Sequence, residues 1–166
     1  MNTRFNLNHI FILPLFVALS IPYIVSTLRA SPTIETFQLR DLSVQQALAA
    51  TDPTALVLGS ESFGSSPSSY AIENEFLIAT ELEDTAAVFE RLLGFLDCKI
   101  ASEKWSVVRS EGTGDSHWFR LEKNDTACIL QIWIAEPTEE QLERLSHLEA
   151  NRYVIKTASF GFRIAD

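Results

Sequence analysis

The chain has 166 residues, 46% of them hydrophobic, a composition typical of one folded domain and too apolar for a disordered protein. All 22 acidic residues follow Arg29, so residues 31–166 carry 11 basic against 22 acidic groups, a formal net charge of −11. Such a surface repels phosphate backbones, which argues against nucleic acid as a partner.

An uncharged apolar run of 19 residues occupies residues 10–28 and follows a short basic stretch. This pattern predicts a signal peptide or a signal anchor over residues 1–30, which takes the rest of the chain out of the cytoplasm. The length of the run favours a retained transmembrane helix, with the membrane as a partner through residues 10–28. Two prolines in the run and a cleavable sequence at residues 28–30 favour removal and secretion instead.

Residues 31–69 are predicted to connect this segment to the folded domain. Within them, residues 42–50 have the composition of a short helix that ends before Pro53, and residues 54–58 that of a short strand. Residues 59–69 are rich in serine and glycine, which predicts a flexible linker.

Residues 70–166 carry the periodic patterns of an α+β domain. A half-buried strand is predicted where glutamates alternate with a row of apolar side chains: Tyr70, Ile72, Phe76, Ile78 and Leu82. Asp84 is expected to cap the helix that follows, which has one apolar stripe formed by Ala86, Phe89, Leu92, Leu93 and Leu96.

Three successive antiparallel strands are predicted next, at residues 104–109, 117–122 and 128–134, and the core face of the third takes the even positions. Thr138 and Gln141 form the pattern of a capping box at the start of a second helix. A final strand is predicted from a row of apolar residues on one face: Val154, Ala158, Phe160, Phe162 and Ile164.

This order predicts an α+β two-layer sandwich, with two helices on one face of a mostly antiparallel sheet. The elements run βαβββαβ, a ferredoxin-like order with one strand added, and an N-terminal apolar helix precedes them. Because this architecture supports enzymes, carriers and interaction modules alike, it does not assign an activity.

His117 and Asp115 are the candidate catalytic pair. A histidine beside a carboxylate can act as a general base, and residues two apart on a strand share a face. The alternative is that Asp115 belongs to a loop and that His117 is packed or solvated.

Trp133, Gln131 and Trp118 are the candidate binding residues. Trp133 and Gln131 take the odd positions of their strand and point away from the predicted core. An exposed aromatic ring among polar groups suits contact with carbohydrate, peptide or protein. The alternative is that residues 42–58 pack over this face and bury it.

Two cysteines, Cys98 and Cys128, either form a disulfide in an oxidising compartment or remain buried free thiols. The histidines and cysteines have no spacing typical of metal ligands, and no cofactor motif is present, so neither a metal nor a cofactor is predicted.

The apolar segment and the lack of a convergent polar constellation lead us to expect a non-enzymatic domain, membrane-anchored or secreted, that binds a protein or an envelope polymer outside the cytoplasm. The alternative is a small extracytoplasmic hydrolase that uses His117 with Asp115.

Overall fold

The computed structural model describes residues 34–164. The predicted signal segment at residues 1–30, with its apolar helix, lies outside the described residues. The described elements in chain order are α1 (Asp41–Ala49), β1 (Leu56–Ser66), β2 (Ser69–Thr80), α2 (Thr85–Ser102), β3 (Ser106–Thr113), β4 (Ser116–Lys123), β5 (Thr126–Ala135), α3 (Glu139–Arg144) and β6 (Asn151–Arg163).

The strands form one antiparallel sheet of six strands in the order β1-β2-β6-β5-β4-β3. An α+β fold with a mostly antiparallel sheet was predicted, and that part of the prediction is confirmed. The capping box at the start of α3 is also present, because the Thr138 hydroxyl accepts from the Gln141 N–H while the Gln141 side chain accepts from the Thr138 N–H.

The ferredoxin-like arrangement is not confirmed. From β2 onward the elements follow each other along the chain in the predicted order, but their neighbours in the sheet differ. Strands β5 and β6 are adjacent and antiparallel, so α3 lies within a hairpin connection, whereas α2 crosses from β2 to the parallel strand β3 at the far edge. Hydrophobic periodicity identifies strands but does not determine which strands become neighbours.

The two predicted helices lie on opposite faces of the sheet, which corrects the expectation that both share one face. Helices α1 and α2 pack against Phe76 and Ile78 of β2, on what we call the helix face. Leu145, directly after α3, packs against Leu77 and Ala79, the alternate residues of the same strand, on what we call the outer face. Helix α1, not α3, therefore shares a face with α2.

The serine-rich segment predicted as a linker is instead the second half of β1, which pairs with β2 from Leu56 to Ser66 without interruption. The composition of this segment has low strand propensity, so the backbone hydrogen bonds with β2 hold it in a strand. The Gly59 N–H donates to the Asp41 carboxylate at 3.1 Å, and a Cβ at this position would lie 1.9 Å from that carboxylate, so the Asp41 side chain would have to move.

Strand β6 has the predicted row of apolar residues on one face, and this face is the outer one. The helix face of β6 takes the alternate residues, among them the buried Tyr153 and Ile155. Farther along this face the side chains become small, because residues 34–40, which we call the strap, cross there: the Ser159 hydroxyl donates to the Phe37 carbonyl at 2.8 Å. The bulky Phe160 consequently faces outward and is 48% exposed.

Asp52 ties the connection between α1 and β1 to the end of β2. Its side chain is 4% exposed and accepts hydrogen bonds from the hydroxyls of Thr54 and Thr80 and from the backbone N–H groups of Thr54 and Glu81. Burial alone raises the pKa of this carboxyl, but the four hydrogen bonds outweigh burial and lower the pKa from 3.8 to about 2.

Replacing Asp52 with asparagine is expected to lower the free energy of unfolding at neutral pH by about 2 kcal/mol, because the charged form is the one that these donors stabilise. Since the folded-state pKa is below the unfolded one, the stabilisation is complete above pH 3.8 and is lost as pH falls toward about 2. Urea unfolding of the wild type and of Asp52→Asn across this range should therefore show a difference in the free energy of unfolding that becomes smaller as the pH falls. Asp97→Asn, at an exposed position on α2, is the control. A difference that does not change with pH would contradict this account.

Candidate functional site

The candidate binding residues meet on the outer face of the sheet. Trp118 of β4 is directly opposite Gln131 of β5, and Trp133, two residues farther along β5, is opposite Lys156 of β6. Residues directly opposite each other in an antiparallel pair point to the same face, so these side chains form one continuous group. Gln131 is exposed, and both tryptophans are half-buried.

Residues 42–58 do not cover this group, because α1 packs beside α2 on the helix face. On the outer face, cover comes from the chain around α3, where Leu145 is buried and Leu148 is partly buried against Val154 and Ala135. Outside the area that the chain around α3 covers, the outer face carries Trp118, Gln131 and Trp133. Sequence alternation assigned Gln131 and Trp133 to the face away from the core, whereas the position of Trp118 on the same face comes from the strand pairing in the structure.

An open depression of about 370 Å³ lies beside Trp133 and extends across the sheet to the edge strand β1. Its lining includes Ser60, Ser62, Glu73 and Glu75, which are outer-face residues of β1 and β2. The Glu75 carboxylate pairs with the Lys156 ammonium at 2.9 Å and also accepts from the Gln141 amide. The Glu73 carboxylate has no hydrogen bond or ion pair with any of residues 34–164. It is the acidic group that this depression leaves available to a ligand.

Trp118 differs from Trp133 because an arginine covers it. The Arg109 guanidinium lies 5.3 Å from the Trp118 ring centroid, and the Arg109 Nε donates to the Glu111 carboxylate at 2.8 Å. Arg109 and Glu111 belong to the edge strand β3 and are both exposed. A ligand that contacts Trp118 would therefore also meet this ion pair.

Two aromatic residues beyond the predicted set belong to the same face. The rings of Phe160 and Phe162 on β6 lie 5.8 Å apart, and Phe160 is opposite Ile129 of β5. The apolar row to which they belong identified the strand, but both faces of β6 carry apolar residues, since Tyr153 and Ile155 lie on the other face. The sequence therefore contained no signal that assigns Phe160 and Phe162 to the exposed side.

The structure does not bring His117 and Asp115 together as a catalytic pair. The His117 Nε2 bonds the Ser110 hydroxyl at 2.6 Å, and its ring packs 4.5 Å from the Phe119 ring. The Asp115 carboxylate instead accepts from the Thr113 hydroxyl at 3.4 Å. Asp115 lies in the turn between β3 and β4 rather than in a strand, so the alternation that predicted a shared face does not apply.

Both cysteines are free thiols, so the disulfide alternative is not formed in the structure. Cys98 is exposed on α2, whereas Cys128 is fully buried in β5, where its Sγ lies 3.3 Å from the Ser159 hydroxyl. Burial raises the pKa of the Cys128 thiol, and burial together with the neighbouring Cys128 raises the pKa of Tyr70. Cys128 is therefore unsuited to act as a nucleophile at neutral pH.

Within residues 34–164, no group of three or more histidine, cysteine, aspartate or glutamate side chains is arranged to hold a metal ion. The helices of that same part of the chain do not include one that is both long and apolar enough to cross a membrane. Comparison with models of known protein families and with curated proteins finds no match to this chain.

Treatment of the native, purified chain with a maleimide is expected to modify Cys98 and to leave Cys128 unmodified, because Cys128 is buried and protonated. After unfolding without a reductant, both thiols should react, as intact-mass measurement will show. Cys98→Ser is the control and should not be labelled in the native state. A chain in which neither cysteine reacts after unfolding would contain the disulfide and contradict this account.

Proposed function

We propose that this chain is a non-enzymatic domain, membrane-anchored or secreted, that works outside the cytoplasm by binding a protein or an envelope polymer through its outer face. The observation that carries this proposal is the group of Trp118, Gln131 and Trp133 on the part of the outer face that α3 leaves open. The location rests on the uncharged apolar run at residues 10–28, which is costly in water and favourable in hydrocarbon.

The chemistry of the outer face suits contact with a large partner more than capture of a small molecule. Tryptophan rings contribute much apolar area with little conformational freedom to lose, and Gln131 beside them can both donate and accept hydrogen bonds. Two ion pairs lie beside the tryptophans, Glu75 with Lys156 and Arg109 with Glu111, and such pairs contribute selectivity at the rim of a contact. The depression beside Trp133 is open to solvent and is not an enclosed pocket.

The alternative function is a small extracytoplasmic hydrolase that uses His117 with Asp115. One observation favours it: the His117 ring is within hydrogen-bonding distance of a hydroxyl, that of Ser110. A serine–histidine pair also needs a third group that orients the imidazole, and the carboxylate expected to do so bonds Thr113 instead. We therefore prefer the binding function.

A photo-crosslinking amino acid at Gln131 tests the contact function in the cells that produce the protein. We expect it to capture a specific partner, because Gln131 is exposed, lies opposite Trp118 and is two residues from Trp133. The same amino acid at Glu90, an exposed position on α2, is the matched control and should not capture that partner. Crosslinked products are compared by mass and composition, which also distinguishes a protein from a polymer.

Trp133→Ala should reduce the crosslinking yield at Gln131 by at least about tenfold, because aromatic anchors dominate contact energies. Leu42→Ala, which truncates an apolar residue 70% exposed on α1, should leave the yield unchanged. Circular dichroism establishes that each variant is folded. Equal capture from Gln131 and Glu90, or no specific capture from Gln131, would reject the proposed contact surface.

A further inference from the structure

We propose that the free edge of β1 binds an extended, basic peptide segment of a partner protein as a seventh strand of the sheet. This inference deepens the proposed function, on which it rests, by assigning the partner's chemistry and the way in which it docks. Three features carry it: an unpaired backbone edge, a depression on each side of that edge, and an acidic group without a partner.

The outer edge of β1 presents unpaired backbone groups. In an antiparallel pair, the N–H and C=O groups of alternate residues point away from the partner strand. The Gly59 N–H is bonded to the Asp41 side chain rather than to β2, which shows that the odd-numbered residues of β1 point outward. Glu61, Phe63 and Ser65 follow at the same spacing, and their backbone groups on this edge have no partner among residues 34–164.

The two edges of the sheet are protected differently. Strand β3, at the other edge, has a register shift between Val107 and Arg109, an irregularity that natural proteins use to prevent a further strand from adding. Strand β1 pairs with β2 over its whole length without a shift, and it contains neither proline nor lysine. A long, regular edge without these features is suited to accept a strand.

Two depressions border the same part of β1, one on each face of the sheet. Ser60 and Ser62 line the outer-face depression, which reaches Trp133. Phe63 lines a second depression of about 250 Å³ on the helix face, together with Gln38 of the preceding strap. An added strand directs alternate side chains to opposite faces, so successive residues of the peptide would enter the two depressions in turn.

Charge selects a basic side chain for the outer-face depression. The Glu73 carboxylate is exposed and unpaired among the described residues, while Lys156 is engaged by Glu75. Neighbouring strands lie about 4.8 Å apart, so Glu73 on β2 would be about 10 Å from an added strand. The small side chains of Ser60 and Ser62 leave space for an arginine or lysine of the peptide to cross β1 and pair with Glu73.

The helix-face depression offers an apolar contact at Phe63, beside the polar side chains of Thr36, Gln38, Arg40 and Glu61. Phe63 is 57% exposed there and lies beside the buried Ile72, so a neighbouring apolar group would cover its ring. The net charge of −11 on residues 31–166 would also accelerate the approach of a basic segment. The peptide that fits therefore has a basic residue on one face and an apolar residue on the other.

The experiment selects peptides from a random phage-displayed library, each about nine residues long, on the purified full-length chain. We expect enrichment of peptides in which basic and apolar residues occupy alternate positions. Hydrogen exchange should then slow at the outward amides of Glu61, Phe63 and Ser65 when an enriched, chemically synthesised peptide is added. Enrichment of peptides without this alternation, or no enrichment, would overturn the proposal.

Matched variants test the docking geometry. Ser65→Pro removes an outward N–H without removing a bond to β2, and it should weaken binding by at least about tenfold, whereas Ser65→Ala should have little effect. Glu73→Gln should weaken binding by about tenfold because it removes the charge opposite the basic residue, whereas Glu90→Gln, at an exposed position on α2, should not. If Ser65→Pro does not fold, methylation of alternate backbone nitrogens of the peptide makes the same test and should abolish binding.

The remaining outcomes distinguish this proposal from its rivals. Peptide binding that persists in Ser65→Pro and after N-methylation would overturn edge pairing. A change of oligomeric state in Ser65→Pro without peptide, seen by analytical ultracentrifugation, would assign the edge to a second copy of this chain and also overturn it. Failure of the edge tests while crosslinking at Gln131 persists would reject the added strand alone, whereas loss of both would reject the proposed contact function as well.

Discussion

Packing of α1 and α2 against one face of the sheet is the interaction on which the rest of this domain depends. That face buries most of the large apolar side chains of residues 34–164 in one core. Among residues 34–164, only the six residues of α3 and the segment that follows them cover the opposite face. The unequal distribution of helices therefore leaves Trp118, Gln131 and Trp133 at the surface, and this is the physical basis of the proposed contact function.

Buried polar groups hold this arrangement in place. Asp52 links the end of α1 to the end of β2, and its four hydrogen bonds make the ionised carboxylate the favoured form in spite of burial. On the same face, the Tyr70 hydroxyl accepts from the Phe37 N–H at 3.0 Å, while Ser159 donates to the Phe37 carbonyl. These bonds satisfy the backbone of the strap as it crosses the core, where water cannot do so.

Sequence patterns predicted the elements better than their arrangement. Alternation in β2 and β5 identified both strands and their buried faces, because a period of two depends only on neighbouring residues. The second half of β1 was missed because Gly59 to Ser66 has low strand propensity and is held in place by pairing with β2. The face on which α3 lies was also missed, because it depends on which strands are neighbours in the sheet. The separation of His117 from Asp115 was missed because Asp115 lies in the tight turn between β3 and β4.

Hydroxyl-radical footprinting of the purified full-length chain, read by mass spectrometry, tests the unequal covering of the two faces most directly. The account predicts that Phe160 on the outer face is modified readily, while Phe37 and Trp105 on the helix face are protected. Trp133 should be modified to an intermediate extent, because it is half-buried. Protection of Phe160 and Trp133 equal to that of Trp105 would mean that the outer face is covered, and would contradict the account.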